Sequence, residues 1–151
     1  MTSFLGKYYY TLDPKGRVII PAPLREIIFQ KYDNPKLYIT NAPVDKCLQI
    51  YPLEEWNKLE EKVRGLPKTD EAVKYFMRRV IASAVDCELD RQGRVLVPAA
   101  HREDSSISSE IVIVGQIDKI EIWDKQLWEK VTDPSKIDVK AVESALAGYG
   151  L

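Results

Sequence analysis

An internal duplication constrains the fold of this chain more than any other feature of its sequence. Residues 12–22 read Leu-Asp-Pro-Lys-Gly-Arg-Val-Ile-Ile-Pro-Ala, and residues 89–99 read Leu-Asp-Arg-Gln-Gly-Arg-Val-Leu-Val-Pro-Ala. The correspondence continues in the same order, because 37–40 match 111–114 and 48–51 match 120–123. Self-similarity of this kind indicates two copies of one supersecondary unit.

Each copy predicts the same succession of elements. A strand at 7–12 or 84–89 leads into an Asp-x-x-Gly turn, where glycine can take the positive φ of a tight hairpin. The next strand ends at a proline, which cannot donate to a strand ladder and precedes a short helix around 23–29 or 99–104. Two further apolar strands then pair with each other. Each repeat therefore reads as strand, strand, helix, strand, strand.

Helical patterns occupy the rest of the chain. Apolar spacing over 53–63 predicts one helix, and Thr69 or Asp70 can cap a second helix after Pro67. Residues 139–146 carry a further short helical pattern. We therefore divide the chain into a first repeat at 7–54, connecting helices at 55–82, a second repeat at 83–126 and a helical tail at 127–151.

Composition excludes several classes of protein. The 151 residues are 45% hydrophobic and 30% charged, which is ordinary for a globular chain. No apolar stretch approaches the roughly 20 residues that span a bilayer, so we expect a cytoplasmic protein without a membrane partner. Cys47 and Cys87 lack the spacing of a zinc site and are expected to be buried free thiols. No cofactor or metal is predicted.

The net charge of -1 argues mildly against binding to nucleic acid. A local basic patch, repeated in an oligomer, can still bind anions, because exposed charges beyond about 10 Å are screened at 0.1 M salt. Charge therefore weakens a DNA-binding hypothesis without excluding it.

The Asp-x-x-Gly-Arg motif, present in both repeats, is the main candidate site. We interpret Asp13, Gly16, Asp90 and Gly93 as turn residues, with the aspartates accepting backbone hydrogen bonds. For Arg17 and Arg94 two roles remain open. Each can pair with the aspartate of its own turn or project towards phosphates and guanine edges.

Basic residues around the two turns are the predicted DNA contacts. The first repeat offers four of them and is the better candidate, since the second has no counterpart of Lys15. The predicted DNA-binding residues are Lys7, Lys15, Arg17, Arg25, Arg91 and Arg94.

Other polar and aromatic residues receive structural interpretations. His101 has no nucleophile or carboxylate at a recognisable spacing and is expected at the surface. The three tryptophans are expected in the core or at subunit contacts rather than stacked on bases. The basic stripe of the second connecting helix is expected to be a solvated face. This stripe consists of Lys74, Arg78 and Arg79.

Several ordered motifs between Phe4 and Trp128 resemble one known family, the MraZ proteins. They are Phe4-Leu5-Gly6, Thr11-Leu12-Asp13-x-Lys15-Gly16-Arg17, Tyr51-Pro52-Leu53-x-x-Trp56, Leu89-Asp90-x-x-Gly93-Arg94 and Val114-Gly115-Gln116. The family's Asp-x-x-x-Arg motif falls on Asp13 and Arg17 and again on Asp90 and Arg94. Residues 100–106 are more polar than the family's usual helix, which leaves the packing of that helix open.

The resemblance implies an α+β fold of tandem AbrB-like repeats related by a pseudo-twofold axis. Their swapped hairpins would form a small intertwined β-barrel with peripheral helices. It also implies a nucleoid-associated transcription factor, assembled as a ring of identical subunits. Such a ring binds double-stranded DNA at direct repeats upstream of its own division and cell-wall gene cluster.

Three other functions compete with this one. An acid-base hydrolase could use Asp13 and Asp90 across the pseudo-twofold axis, but the chain lacks the Asp-Thr/Ser-Gly pattern of aspartic proteases, so we expect no enzyme. A ring-forming scaffold or protein-interaction module keeps the fold and makes DNA contact secondary. An AbrB-type antitoxin would usually carry one repeat, which the duplication argues against.

Overall fold

The computed structural model describes residues 3–151. Over these residues the chain has an α+β fold with one six-stranded and one two-stranded sheet. The strands are β1 Lys7–Thr11, β2 Arg17–Ile19, β3 Lys36–Asn41, β4 Leu48–Pro52, β5 Val85–Glu88, β6 Arg94–Leu96, β7 Glu110–Gly115 and β8 Ile120–Asp124. The predicted order of strands within each repeat is confirmed.

The helices follow the predicted positions closely. They are α1 Ala22–Ile27, α2 Leu53–Arg64, α3 Glu71–Phe76, α4 Ala99–Asp104, α5 Lys125–Val131 and α6 Val139–Gly148. Asp70 is the residue that caps α3, since its side chain accepts from the backbone N–H groups of Ala72 and Val73. α1 and α3 each continue into one wider π-helical turn, Ile28–Tyr32 and Met77–Ile81.

The two repeats exchange their first hairpins. The six-stranded sheet has the order β1-β7-β8-β4-β3-β5, and all its neighbouring strands are antiparallel. β1 of the first repeat thus pairs with β7 of the second, whereas β5 of the second pairs with β3 of the first. This is the predicted swapped-hairpin arrangement, in which neither repeat completes its sheet alone.

β2 and β6 form the second sheet and lie over the same core. Val18 and Val95 are paired at its centre, and both side chains are buried. They join one apolar cluster with residues of both repeats, including Leu24, Ile39 and Ile113. The shared core makes the repeats a single folding unit rather than two independent domains.

The tryptophans contribute to packing, as expected. Trp56 is 3% exposed and stacks on Tyr38 with ring centroids 5.2 Å apart. Trp123 is 4% exposed and makes an edge contact with Trp128. Both cysteines are free, with Cys47 buried and Cys87 partly exposed. Burial raises the pKa of both thiols, that of Cys87 to about 12, so neither is a thiolate at neutral pH.

The prediction that His101 lies at the surface is wrong. The side chain is 7% exposed, and its Nε2 atom lies 2.7 Å from the carbonyl oxygen of Ser83. His101 takes the place in α4 that buried Leu24 has in α1, so it faces the core side of the helix. The sequence pattern missed this because histidine is compatible with either environment.

The basic stripe of the connecting helices is not uniformly solvated either. Arg79 makes two parallel hydrogen bonds of 2.8 Å to the carboxylate of Asp104 in α4. Its Nε atom also donates to the carbonyl oxygen of Ala42. These contacts tie the polar helix α4 to the connecting segment, which explains how a helix with few apolar residues packs stably.

The C-terminal tail is helical, as predicted, and lies outside the core. α6 contains no buried residue. Within residues 3–151, none of the helices is long and apolar enough to cross a bilayer.

Candidate nucleic-acid interface

The first hairpin turn is organised by the carboxylate of Asp13. Its Oδ1 atom accepts from the backbone N–H of Lys15 at 2.9 Å and from that of Arg17 at 2.8 Å. Gly16 closes the turn with φ of 82° and donates its N–H to the Asp13 carbonyl oxygen. An aspartate and a glycine suit these positions because one side chain satisfies two amides and only glycine tolerates this φ without strain.

The second turn repeats this geometry atom for atom. Oδ1 of Asp90 accepts from the N–H groups of Gln92 and Arg94 at 2.9 and 2.8 Å. Gly93 has φ of 77° and donates to the Asp90 carbonyl oxygen. The duplicated sequence thus produces duplicated backbone geometry.

In each turn the remaining carboxylate oxygen holds the arginine. Nε of Arg17 lies 2.7 Å from Oδ2 of Asp13, and Nε of Arg94 lies 2.8 Å from Oδ2 of Asp90. A guanidinium has five N–H donors, and this bond uses only the one on Nε. The two roles left open by the sequence are therefore compatible, since an arginine oriented by its aspartate keeps terminal donors for a ligand.

The same hydrogen bonds keep both aspartates ionised. The backbone N–H of Arg17 is the largest influence lowering the pKa of Asp13, with the Arg17 side chain acting in the same direction. The backbone N–H and side chain of Arg94 likewise lower the pKa of Asp90. An acid-base pair needs one carboxyl with a raised pKa, so this geometry argues against the hydrolase alternative.

The two turns belong to one continuous surface. Antiparallel pairing of β2 with β6 brings the end of each strand beside the other turn. Ile20 donates its N–H to the Gly93 carbonyl oxygen at 2.9 Å, and Val97 donates to that of Gly16 at 2.8 Å. A ligand that contacts one turn therefore also lies close to the other turn. The sequence had made the turn of the first repeat the better candidate.

We call the outward face of this two-stranded sheet the ribbon face. Val18 and Val95 point into the core, so the alternation of strand side chains places their neighbours on the opposite side. Cross-strand pairs on this face join each arginine to an aliphatic residue of the other strand. The ribbon face consists of Arg17, Ile19, Arg94 and Leu96.

Arg25 does not lie at the first turn, contrary to the prediction. It packs over Gly93 of the second repeat, so close that a Cβ atom on Gly93 would lie 2.7 Å from the Arg25 side chain. Nη1 of Arg25 also donates to the carbonyl oxygen of Ile20. Arg25 reaches the turn of the other repeat because β2 and β6 pair in antiparallel fashion. Local sequence does not indicate this pairing.

Arg102 is the counterpart that the sequence analysis missed. It lies over Gly16 of the first repeat, and its Nη1 atom donates to the carbonyl oxygen of Val97 at 2.9 Å. Arg102 occupies the same place after its turn as Arg25 does, so aligning the two repeats residue by residue would have identified it. Each turn is therefore flanked by an arginine that extends from the other repeat.

The remaining predicted contacts differ in position. Lys15 and Arg91 are exposed within the turns themselves. Lys7 is also exposed, but it begins β1 and is separated from Asp13 by about 20 Å of extended chain. The structure thus brings together five of the six predicted basic residues around the ribbon face and leaves Lys7 apart.

Comparison with known proteins gives a consistent result over nearly the full chain. A family model described as "MraZ protein, putative antitoxin-like" matches residues 3–79 and again 80–148. A protein named "Transcriptional regulator MraZ" from Caldanaerobacter subterraneus subsp. tengcongensis is 35% identical over 147 residues, which cover 97% of this chain and 99% of that protein.

Other relatives with this name agree. The protein from Thermoanaerobacter sp. (strain X514) is 37% identical over 142 residues, covering 94% of this chain and 95% of its own length. That from Desulfitobacterium hafniense (strain DSM 10664 / DCB-2) is 37% identical over 148 residues, covering 98% and 99%. The two matched repeats and the near-complete coverage establish that the chain belongs to the MraZ family.

Proposed function

We propose that this protein is a sequence-specific DNA-binding transcriptional regulator that contacts double-stranded DNA through the ribbon face. The observation that carries the proposal is the placement of Arg17 and Arg94 on one outward surface, each oriented by an aspartate. A two-stranded ribbon fits the major groove of B-DNA, which is about 12 Å wide, and arginine is the commonest side chain to read guanine there.

The surroundings of the ribbon face supply contacts to the DNA backbone. Lys15 and Arg91 are exposed at the tips of the turns, where long basic side chains can reach phosphates on either side of the groove. Arg25 and Arg102 border the same surface and each keeps unused donors beyond the carbonyl bond that anchors it. This local concentration of cations accounts for DNA binding by a chain whose net charge is -1.

The finer parts of the proposal rest on the family. We infer that the chain assembles into a ring of identical subunits and binds direct repeats upstream of its own division and cell-wall gene cluster, in association with the nucleoid. A ring supports this mode of binding because it presents several ribbon faces at regular intervals, so that weak single contacts add up through multivalency. The relatives named as transcriptional regulators support the regulatory role.

The experiment that tests the proposal measures binding of the purified protein to the DNA upstream of its own gene. An unrelated duplex of equal length is the control, and both are titrated at 50 mM and 200 mM salt. We expect tighter binding to the upstream duplex and a steep loss of affinity with salt, because neutralised phosphates release counterions. Equal affinity for both duplexes would contradict sequence-specific binding, and an absence of binding would contradict the proposal altogether.

A further inference from the structure

Two aliphatic side chains on the ribbon face are exposed to solvent beside the two arginines of that face. Ile19 is 41% exposed and Leu96 is 54% exposed, whereas their strand neighbours Val18 and Val95 are each 1% exposed. The two aliphatic residues occupy equivalent positions in the two repeats. A single exposed aliphatic side chain needs no explanation, but the same exposure at both related positions of the candidate interface calls for one.

The register places each aliphatic residue directly across from an arginine. Ile19 is paired with Arg94, and Leu96 is paired with Arg17. Within one strand the arginine and the aliphatic residue are two positions apart, which corresponds to about 7 Å. Two base-pair steps at about 3.4 Å each cover the same distance, so both side chains of one strand can meet base edges in a single groove.

We propose that Ile19 and Leu96 are specificity-determining residues that recognise thymine through its C5-methyl group. This inference rests on the proposed DNA-binding function and adds a second base to its readout. The thymine methyl is the one apolar feature that base pairs display in the major groove, and aliphatic side chains contact it favourably. An arginine and an aliphatic residue of one strand therefore read a guanine and a thymine two base-pair steps apart, and the aliphatic contact removes apolar surface of both partners from water.

The test removes the methyl group from the DNA without changing base pairing. Thymines of the bound upstream duplex are replaced one at a time by deoxyuridine, and affinity is measured by fluorescence anisotropy. For the wild-type protein we expect a loss of about fourfold at each contacted thymine, the value of one buried methyl group. For Ile19→Ser or Leu96→Ser we expect weaker binding to the thymine duplex and no further loss when the contacted thymine becomes deoxyuridine, because serine has no methyl group to contact the thymine.

Serine is chosen because it is small and lacks a methyl group, and both positions are exposed, so the substitutions leave the buried core unchanged. Val44→Ser is the matched control, since Val44 is 87% exposed in the turn between β3 and β4, outside the ribbon face. It should bind both duplexes as the wild type does. Thermal unfolding of all three variants shows whether the fold is retained.

The outcomes separate this inference from the function on which it rests. If the wild type prefers its upstream DNA but loses no affinity with deoxyuridine, the thymine contact is refuted and the DNA-binding proposal stands. If Ile19→Ser and Leu96→Ser remain as sensitive to deoxyuridine as the wild type, the assignment to these residues is overturned. If the wild type does not discriminate between the upstream and unrelated duplexes, both proposals fail.

Discussion

Nη1 of Arg94 lies 3.9 Å from Oδ2 of Asp13, the same oxygen that accepts the hydrogen bond from Nε of Arg17. An arginine of the second repeat therefore approaches the carboxylate that organises the turn of the first. Charges that are coupled in this way cannot be altered one at a time without affecting their neighbour. The two turns therefore form one continuous surface.

Replacing Arg17 or Arg94 with alanine should weaken binding to the upstream duplex by tenfold or more, about the value of one bidentate contact to a base. The melting temperature should change little, since both side chains are partly exposed and neither belongs to the core. The measurement is fluorescence anisotropy together with thermal unfolding. Arg78→Ala is the matched control, because Arg78 is exposed on the connecting helices. Unchanged affinity of both turn variants would remove the arginines from the interface.

Asparagine at position 13 should separate the two roles of Asp13. Asp13→Asn retains an oxygen for the backbone N–H groups of Lys15 and Arg17, but its NH₂ group cannot accept from Nε of Arg17. We expect DNA affinity to fall while the melting temperature stays close to that of the wild type. Asp13→Ala should lower both quantities. If the asparagine variant binds DNA normally, the aspartate does not position the arginine.

Alanine at Gly16 should destabilise the fold by about 1 to 2 kcal/mol, because a left-handed φ is unfavourable for a residue with a Cβ atom. Its Cβ atom would also displace the side chain of Arg102. Urea unfolding measures the change in the free energy of unfolding, and Gly65→Ala is the control, since Gly65 has φ of -80° and a Cβ atom there would make only an ordinary contact of 3.6 Å. If Gly16→Ala does not lower the free energy of unfolding in an Arg102→Ala background, displacement of the Arg102 side chain rather than backbone strain causes the destabilisation.

The Arg79–Asp104 pair should contribute about 1 kcal/mol to the free energy of unfolding, as expected for a well-aligned, partly buried bidentate pair. Asp104→Asn would remove this contribution in urea unfolding at neutral pH. Glu61→Gln, which breaks an exposed pair with Arg64, should change stability much less. Equal effects of the two substitutions would show that the pair does not anchor α4.

The free energy of unfolding should also decrease in acid. Hydrogen bonds from Arg79 lower the pKa of Asp104 in the folded state, so the unfolded state binds the proton more readily. The contribution is fully present above the unfolded-state pKa of about 3.9 and is lost as pH falls through the lower folded-state pKa. Urea unfolding of Asp104→Asn should therefore depend less on pH below about 4 than that of the wild type. Parallel pH profiles of the two proteins would contradict the assignment.

The sequence by itself determined the local structure of this protein. The duplicated Asp-x-x-Gly-Arg motif predicts two identical turns, because the short-range hydrogen bonds that Asp13 and Asp90 accept and the positive φ of the two glycines depend only on neighbouring residues. Helical spacing predicts α2. These features are periodic or local, so one chain is enough to infer them.

Apart from the family resemblance, which implied swapped hairpins, only the tertiary structure decided which repeat each strand joins. A strand ladder forms between backbone groups that every residue carries, so the pairing of β1 with β7 leaves no local signature. The same exchange placed Arg25 over Gly93 and Arg102 over Gly16, contacts that no spacing within one repeat indicates. The burial of His101 likewise depends on α4 packing against the segment around Ser83. Most residues of the candidate interface could therefore be predicted from the sequence. Their arrangement on one surface follows from the pairing of strands that are distant in sequence.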